Sequence, residues 1–512
     1  MSIKRYTANA DNTIVNAFDT NLSTRATGSN SGQADIVEVY SIWERQQNSS
    51  SLTTGSQELS RVLMQFPIDQ ISSNRTAGTI PASGSVSFYL RVFEAEHSRT
   101  IPKDFKLVVQ AISRSWEEGE GVDLTTYKDL TRDQQGSNWM RASKASAWTN
   151  VGGDYHSDPT YIQNFTGGIG DIELDITQMV EDWIAGTREN YGLGIRLSSS
   201  FEAYFSGSGG TNSGSIIHNP DGAKKSFYTK RFFARGSQYY FKRPVLEARW
   251  NSVTKDDRGE FYFSSSLAPA QDNLNTLYLY NYVRGRLKNI PSVGTGHIFV
   301  SLYSGSSNNT EPSGSKLRLY TGETAITGGY VSTGIYSCSV GLTKSADVTL
   351  NTLFDVWHDN SNTEFFTGSI QTKQFKGNVH TREPVYFVNV TNLKNSYMRD
   401  QTARFNLYVR EKNWSPTIYT KATETAEHYI ISSASYRVIR TIDNFEAIPH
   451  NTGSDFATGL SYDVSGNYFD FDMSLLQSGY EYAFKFAFYD DELSSWQEQN
   501  EQFRFRVDDY EH

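Results

Sequence analysis

Apolar positions along most of this chain recur every second residue, the period of a strand with one buried face. The clearest run is Tyr480–Phe488, where Tyr480, Tyr482, Phe484, Phe486 and Phe488 alternate with smaller or polar residues. Gln502–Val507 alternates as well, which predicts a hairpin-like pair around the intervening DDELSSWQEQ loop. Earlier strands are predicted at Asp35–Ile42, Arg61–Phe66, Phe105–Ile112 and Pro244–Trp250, and Ile80–Val92 reads as a turn followed by a strand. Thr276–Tyr282, His297–Tyr303, Leu317–Tyr320 and Gly334–Leu342 follow, with Phe354–Phe366 a hairpin turning at Asp359–Asn362. Pro384–Val390, Arg404–Arg410, Ala434–Arg440 and Asn467–Met473 complete the set. The polar stretches Asn48–Gly55 and Ser198–Gly222 read as loops.

One stretch, Leu174–Leu197, breaks the pattern. Ile176, Met179, Val180, Trp183 and Ile184 fall at helical spacing and can share one buried stripe. Thr177 is suited to cap the start, and Gly186 to end the helix in left-handed geometry. Asn190, Gly192 and Gly194 then give turn chemistry before a strand through Ile195 and Leu197.

The pattern predicts an all-β chain. A jelly-roll-like β-sandwich with one inserted short helix is expected over residues 1–250, followed by two smaller immunoglobulin-like β-sandwich domains at 256–375 and 376–512. A length of 512 residues is too long for one ordinary core. Aromatics at 14% argue against disorder, and the net charge of −10 argues against a nucleic-acid binder. The single cysteine, Cys338, excludes an intrachain disulfide and suits a reducing compartment. No apolar run is long enough for a signal peptide or a membrane span, so a soluble protein is expected.

Candidate chemistry is sparse. The histidines at 97, 156, 218, 297, 358, 380, 428, 450 and 512 form no H-E-x-x-H motif and no i,i+4 pair. No phosphate loop and no G-x-S-x-G nucleophile turn occurs. Glu117, Glu118, Glu120 and Asp123 can supply a carboxylate pair of the kind glycoside hydrolysis needs, against the plainer reading of a solvated loop. Asp11 with Asp19, or Asp256 with Asp257, offers oxygen ligands for calcium without the regular loop spacing. Trp116, Trp139 and Trp148 can stack on sugar rings or pack a core, whereas Trp183 reads as the peg fixing the helix to the sheet. The expectation is no catalytic residue, no metal and no cofactor.

Four landmarks stand in order: Trp116 with Glu118, Trp148 to Asp154, Asp175 to Trp183, and Gly192 to Leu197. This order resembles the DNRLRE-type β-sandwich modules, which are related to carbohydrate-binding modules of extracellular bacterial and archaeal proteins. The family pairs W-x-E with W-x-x-G-G-D, then a D-x-T-x-x-V-x-x-W helix and a G-L-x-L strand. Here the Trp148 to Gly152 spacing is one residue longer. The resemblance covers residues 1–250 and implies the fold; a glycan site does not carry over.

The whole chain is also similar to virion structural proteins of marine tailed phages. The stretches that carry this are MSIKRYTANADNTI, FFARGSQYYFKRPVLEARW (232–250), NLNTLYLYNYVRGRLKNIP (273–291), and SGNYFDFDM with GYEYAFKFAFYDD (465–491). It implies a component of the particle, with neck, tail and head-decoration positions open; the expectation is a non-enzymatic structural protein, at the neck or tail, assembled in the host cytoplasm. Its partners would be further copies of itself, as a ring, and other virion proteins, without nucleic acid or membrane. The alternative is a glycan-binding host-adhesion or capsid-decoration protein using the first sandwich.

Overall fold

The computed structural model describes residues 2–17, 26–48, 51–96, 104–122, 136–204, 219–223, 227–264, 268–305, 312, 316–342, 350, 352–373, 385–415, 417–418 and 428–509. The chain is all-β and divides into two compact units, Ser2–Asn251 and Ser252–His512.

The N-terminal unit begins with β1 (Ile3–Thr7), β2 (Ala10–Asn16), β3 (Ile36–Asn48), β4 (Ser51–Gln65), helix α1 (Ile68–Thr76), β5 (Ser87–Val92) and β6 (Phe105–Ile112). It continues with β7 (Arg141–Ser143), β8 (Ser146–Ala147), β9 (Tyr155–Phe165), β10 (Ile172–Asp175), α2 (Thr177–Ala185), β11 (Leu193–Leu197), β12 (Phe227–Phe233) and β13 (Val245–Arg249). A sheet in the order β1-β13-β5-β10 faces a larger one, β12-β3-β4-β11-β6-β9, to which β2 adds by pairing with β4.

Strand β4 explains why this region shows little clean alternation. Val62 and Met64 point into the inter-sheet core with Phe88, Leu90, Leu107 and Leu246. Leu59 and Leu63 point to the opposite face, where Ile14, Ile112, Trp116, Trp139 and Trp148 form a second apolar layer. A strand buried on both faces reads as a nearly continuous apolar run.

Helix α2 follows the predicted stripe: Met179, Val180 and Trp183 are buried, and Gly186 ends it at φ 70°. Its start differs from expectation, because Thr177 caps nothing. The Thr177 hydroxyl accepts the Phe88 N–H at 2.8 Å and donates to Asp175 at 2.6 Å, pinning the helix to β5. The sequence reading also passes over α1, so the described residues of the sandwich carry two helices where one was expected. The two are tied by a bidentate bond from Arg75 to Glu181, at 2.7 and 2.6 Å. The expected loop Asn48–Gly55 is instead the end of a long β3–β4 ribbon, with Gln47 opposite Leu52 and residues 49–50 outside the described set. Of Ser198–Gly222, residues 205–218 also lie outside it.

The C-terminal unit contains β14 (Phe261–Tyr262), β15 (Asn275–Tyr280), β16 (Tyr282–Val283), β17 (Arg286–Leu287), β18 (Ile298–Ser304), β19 (Ile326–Ser332), β20 (Ile335–Val340), β21 (Thr352–His358) and β22 (Glu364–Lys373). After these come β23 (Tyr386–Val390), β24 (Ser396–Met398), β25 (Thr402–Glu411), β26 (Ala434–Arg440), β27 (Glu446–Ile448), β28 (Ser461–Asp463), β29 (Gly466–Asp472), β30 (Tyr480–Asp490), β31 (Ser495–Glu498) and β32 (Phe503–Asp508).

Seven of the first nine strands enclose one core, in the order β14-β22-β21-β18-β19-β20-β15, and β16 and β17 pair with each other as a separate hairpin. Strand β19 pairs with β18 up to Gly328 and with β20 from Gly329 onward, so it passes from one half of the sheet to the other. A Cβ at Gly328 would sit 2.6 Å from the Ser337 carbonyl, so the crossover needs glycine there. The two halves close over Leu277, Val300, Tyr336, Cys338, Leu353 and Trp357. Leu317–Tyr320 makes no strand: Lys316 forms a single bridge with Tyr303, and a turn follows.

The last ten strands make two sheets, β23-β25-β29-β28 and β24-β32-β30-β26-β27. β30 pairs with β32 as predicted, and β31 within the intervening loop adds to β30. The rings of β30 point into this domain's own core: Phe484 lies 4.8 Å from Phe405, 5.1 Å from Phe469 and 4.6 Å from Phe505.

Gly152 stands at φ 84°, and a Cβ there would meet the Trp139 ring at 2.9 Å. Gly152→Ala should destabilise the N-terminal unit by about 2–4 kcal/mol through left-handed strain and overpacking. Urea unfolding followed by tryptophan fluorescence measures this, and an unchanged midpoint would show that the tryptophan layer does not depend on the glycine.

Candidate functional site

The three tryptophans proposed for sugar stacking are interior residues. Trp139 is 0% exposed, and Trp116 and Trp148 are buried beside it. Trp116 donates to the Tyr191 carbonyl at 2.7 Å and Trp148 to the Asn138 carbonyl at 2.8 Å. Between them lies Arg61, its guanidinium 5.3 Å from the Trp139 ring and 5.8 Å from the Tyr155 ring. It donates to Glu202 at 3.0 Å and to the Gly152 carbonyl at 3.0 Å. The Trp148–Asp154 motif is thus a folded loop. Its Asp154 carboxylate accepts the N–H groups of Thr149 and Asn150, each at 2.8 Å. Of the two readings of these tryptophans, burial favours core packing over sugar stacking, since an interior ring presents no face to a sugar.

Of the four acidic residues beyond Trp116, Asp123 lies outside the described residues and Glu120 points to solvent. Glu117 accepts the Lys144 N–H at 3.3 Å. Glu118 is clamped by Arg235 at 3.0 and 2.6 Å and also accepts the Asp11 N–H at 2.8 Å. The fold therefore joins Asp11 and Glu118, which the sequence assigned to different chemistries, through an arginine that no spacing rule linked to either. Asp19, the expected partner of Asp11, lies outside the described residues. Asp11 is 1% exposed; one oxygen accepts the Arg235 N–H, and the other has no hydrogen-bond partner among the described residues. Burial pushes its carboxyl up to about 7; the Arg235 N–H opposes this, and the Glu118 charge adds to it.

The second acidic pair, Asp256–Asp257, also serves the fold. Burial raises Asp256 to about 6, against the pull of Arg258. Asp257 accepts the Thr276 N–H at 2.6 Å and the Tyr462 hydroxyl at 2.7 Å. Arg258 reaches past them to Asp355 at 2.6 Å. Among the described residues, no group of three His, Cys, Asp or Glu side chains is placed to hold a metal ion.

Ser301 and His358 meet at 3.0 Å, with the other ring nitrogen 2.7 Å from the Asp359 carbonyl, a nucleophile–base geometry that no motif announced. Ser301 is completely buried, so the pair has no access to a substrate. Burial likewise raises the Cys338 thiol well above its usual range.

One open cleft of about 350 Å³ lies in the C-terminal unit, where the segment leading into β14 meets Ile430 and Tyr462. Three carboxylates line it: Asp257, Glu260 and Asp272. Tyr262, Phe263 and Tyr462 supply aromatic wall, and Leu274 and Ile430 supply aliphatic wall. Glu260 accepts the Tyr262 hydroxyl at 3.0 Å and pairs with Lys373. The sequence around Glu260 is polar without periodicity and reads as a domain boundary, so this cleft has no local signature.

No family model matches the chain, and no curated protein matches it. A crystal structure of a tetra-tandem repeat in the extending region of a large adhesion protein aligns over 97% of this chain and 98% of its own. Its identity is 8% and its TM-score 0.14, too low to bear on fold or function.

Between pH 3.8 and about 7 the folded chain keeps a proton on Asp11 that the unfolded chain has lost. Its contribution to stability is therefore full below that window and falls as pH rises through it. Asp11→Asn should become the more stable protein as pH rises from 4 to 7, gaining on the order of 1–4 kcal/mol and then levelling. Parallel urea titrations at several pH values check this; a constant difference would mean that Asp11 ionises normally.

Proposed function

We propose that this chain is a non-enzymatic structural component of a tailed-phage virion, placed at the neck or tail as a homo-oligomeric ring and working through protein–protein interfaces. One observation carries the reading. The fold leaves large apolar side chains exposed: Tyr239, Tyr240, Tyr282, Val283 and Tyr489 lie within the stretches that resemble phage virion proteins, and others, among them Ile162, Val331, Ile418 and Ile442, lie outside them. Aromatic side chains free of a core are the residues that protein interfaces enrich. Of the residues first considered for catalysis, Glu118 is clamped by Arg235, while Glu117 and Glu120 are exposed. The virion placement itself is drawn from the sequence similarity.

The protein should be recovered with purified particles at a fixed copy number set by a ring, and quantitative mass spectrometry counts it. Its presence in infected cells without presence in particles would refute the assignment. Tyr282→Ser combined with Val283→Ser should leave folding stability within about 0.5 kcal/mol, since both are surface positions. The same variant should reduce incorporation into particles.

A further inference from the structure

The arginines of this chain repeat one arrangement. Arg61 lies over Trp139 and bonds Glu202; Arg249 lies 4.2 Å from the Tyr89 ring and bonds Glu173 at 2.7 Å. Arg404 lies 4.4 Å from Tyr468 and bonds Asp470 at 2.8 Å. Arg440 lies 4.7 Å from Tyr480 and bonds Asp443 at 2.6 Å, and Arg258 lies 5.6 Å from Phe366 and bonds Asp355. In each, an aromatic face and a carboxylate share one guanidinium.

The cleft of the C-terminal unit has walls of the same kinds. Asp257, Glu260 and Asp272 face it beside Tyr262 and Tyr462, and among the described residues that line it none is Lys, Arg or His. Lys373 reaches Glu260 but is not among the lining residues. Asp272 is exposed and has no ion-pair partner among the described residues. A volume of about 350 Å³ is at the small end of ligand pockets, roughly 300–1,000 Å³, so it suits a side chain and not a helix.

We propose that this cleft is a socket for a guanidinium side chain, presented by an arginine of another protein. The head would lie between Asp272, Glu260 and the tyrosine rings, and the stem along Leu274 and Ile430. Planar guanidinium pairs with carboxylates through two bonds at once and stacks on aromatic faces, which an ammonium does less well. That the arginine belongs to a neighbouring virion protein rests on the proposed function; the preference for guanidinium does not.

The probe is N-acetyl-argininamide, titrated into the full-length protein at low salt and followed by NMR shifts or calorimetry. Saturable binding at least five-fold tighter than N-acetyl-citrullinamide, and tighter than N-acetyl-lysinamide, is expected. Asp272→Lys places a cation at the mouth and should abolish binding, while Asp272→Asn should weaken it by three-fold or more. Both change an exposed side chain, and an unaltered melting curve confirms the fold. Equal binding of arginine and citrulline derivatives, no saturation, or unchanged affinity in Asp272→Lys would overturn the socket. Absence of the protein from particles would overturn the virion reading and leave the socket standing.

Discussion

The loops over the large sheet of the N-terminal unit are organised around one buried guanidinium, that of Arg61. Arg61 projects from the centre of β4 into a layer of tryptophans, where an unpaired charge would be costly. It is tolerated because Glu202, the Gly152 carbonyl, Trp139 and Tyr155 each satisfy part of it. Those four groups come from distant segments, so one side chain sets where three loops sit over the large sheet. Truncating one partner of such a pair typically costs about 3–5 kcal/mol, far more than the pair contributes over an apolar substitute. The pair therefore specifies an arrangement more than it adds stability.

The same logic runs through a chain with one cysteine. Where a secreted domain of this size can cross-link its loops, this one uses ionic and aromatic contacts over long sequence separations. Glu247 accepts from Arg5 at 2.7 Å and from Arg249 at 2.8 Å, joining the first and last strands of the smaller sheet. Burial alone would raise that carboxyl, yet Arg5, Arg91 and Arg249 hold it well below the ordinary range. These bonds need no oxidation to form.

Much of the fold was legible in the sequence, because alternation and helical spacing are local. β30 and α2 announced themselves through five apolar positions each and the glycine after the helix. α1 did not, since Ile68 and Ile71 are its only buried residues and the rest is Asp, Gln, Ser, Asn, Arg and Thr. Its partners, across the sheet and on α2, lie beyond any local window. The candidate sites fared less well for the same reason. Trp116, Trp139 and Trp148 have identical sequence credentials as binding platform or core, and burial alone decides between them. Arg235 stands 117 residues from the Glu118 it clamps, and Tyr462 lies 205 residues from Asp257.

That last contact belongs to a seam between the two sandwiches of the C-terminal unit. Thr254 and Asp256 exchange backbone hydrogen bonds with Tyr462, each at 3.0 Å, and the Thr254 N–H reaches the Ser461 hydroxyl at 2.9 Å. The segment leading into β14 is thus stitched beside β28 of the second sandwich. Swinging one sandwich against the other would break these bonds together, at about 1 kcal/mol apiece. The seam therefore sets a cost on hinge motion within the C-terminal unit that a bare linker would not, because its bonds open together or not at all.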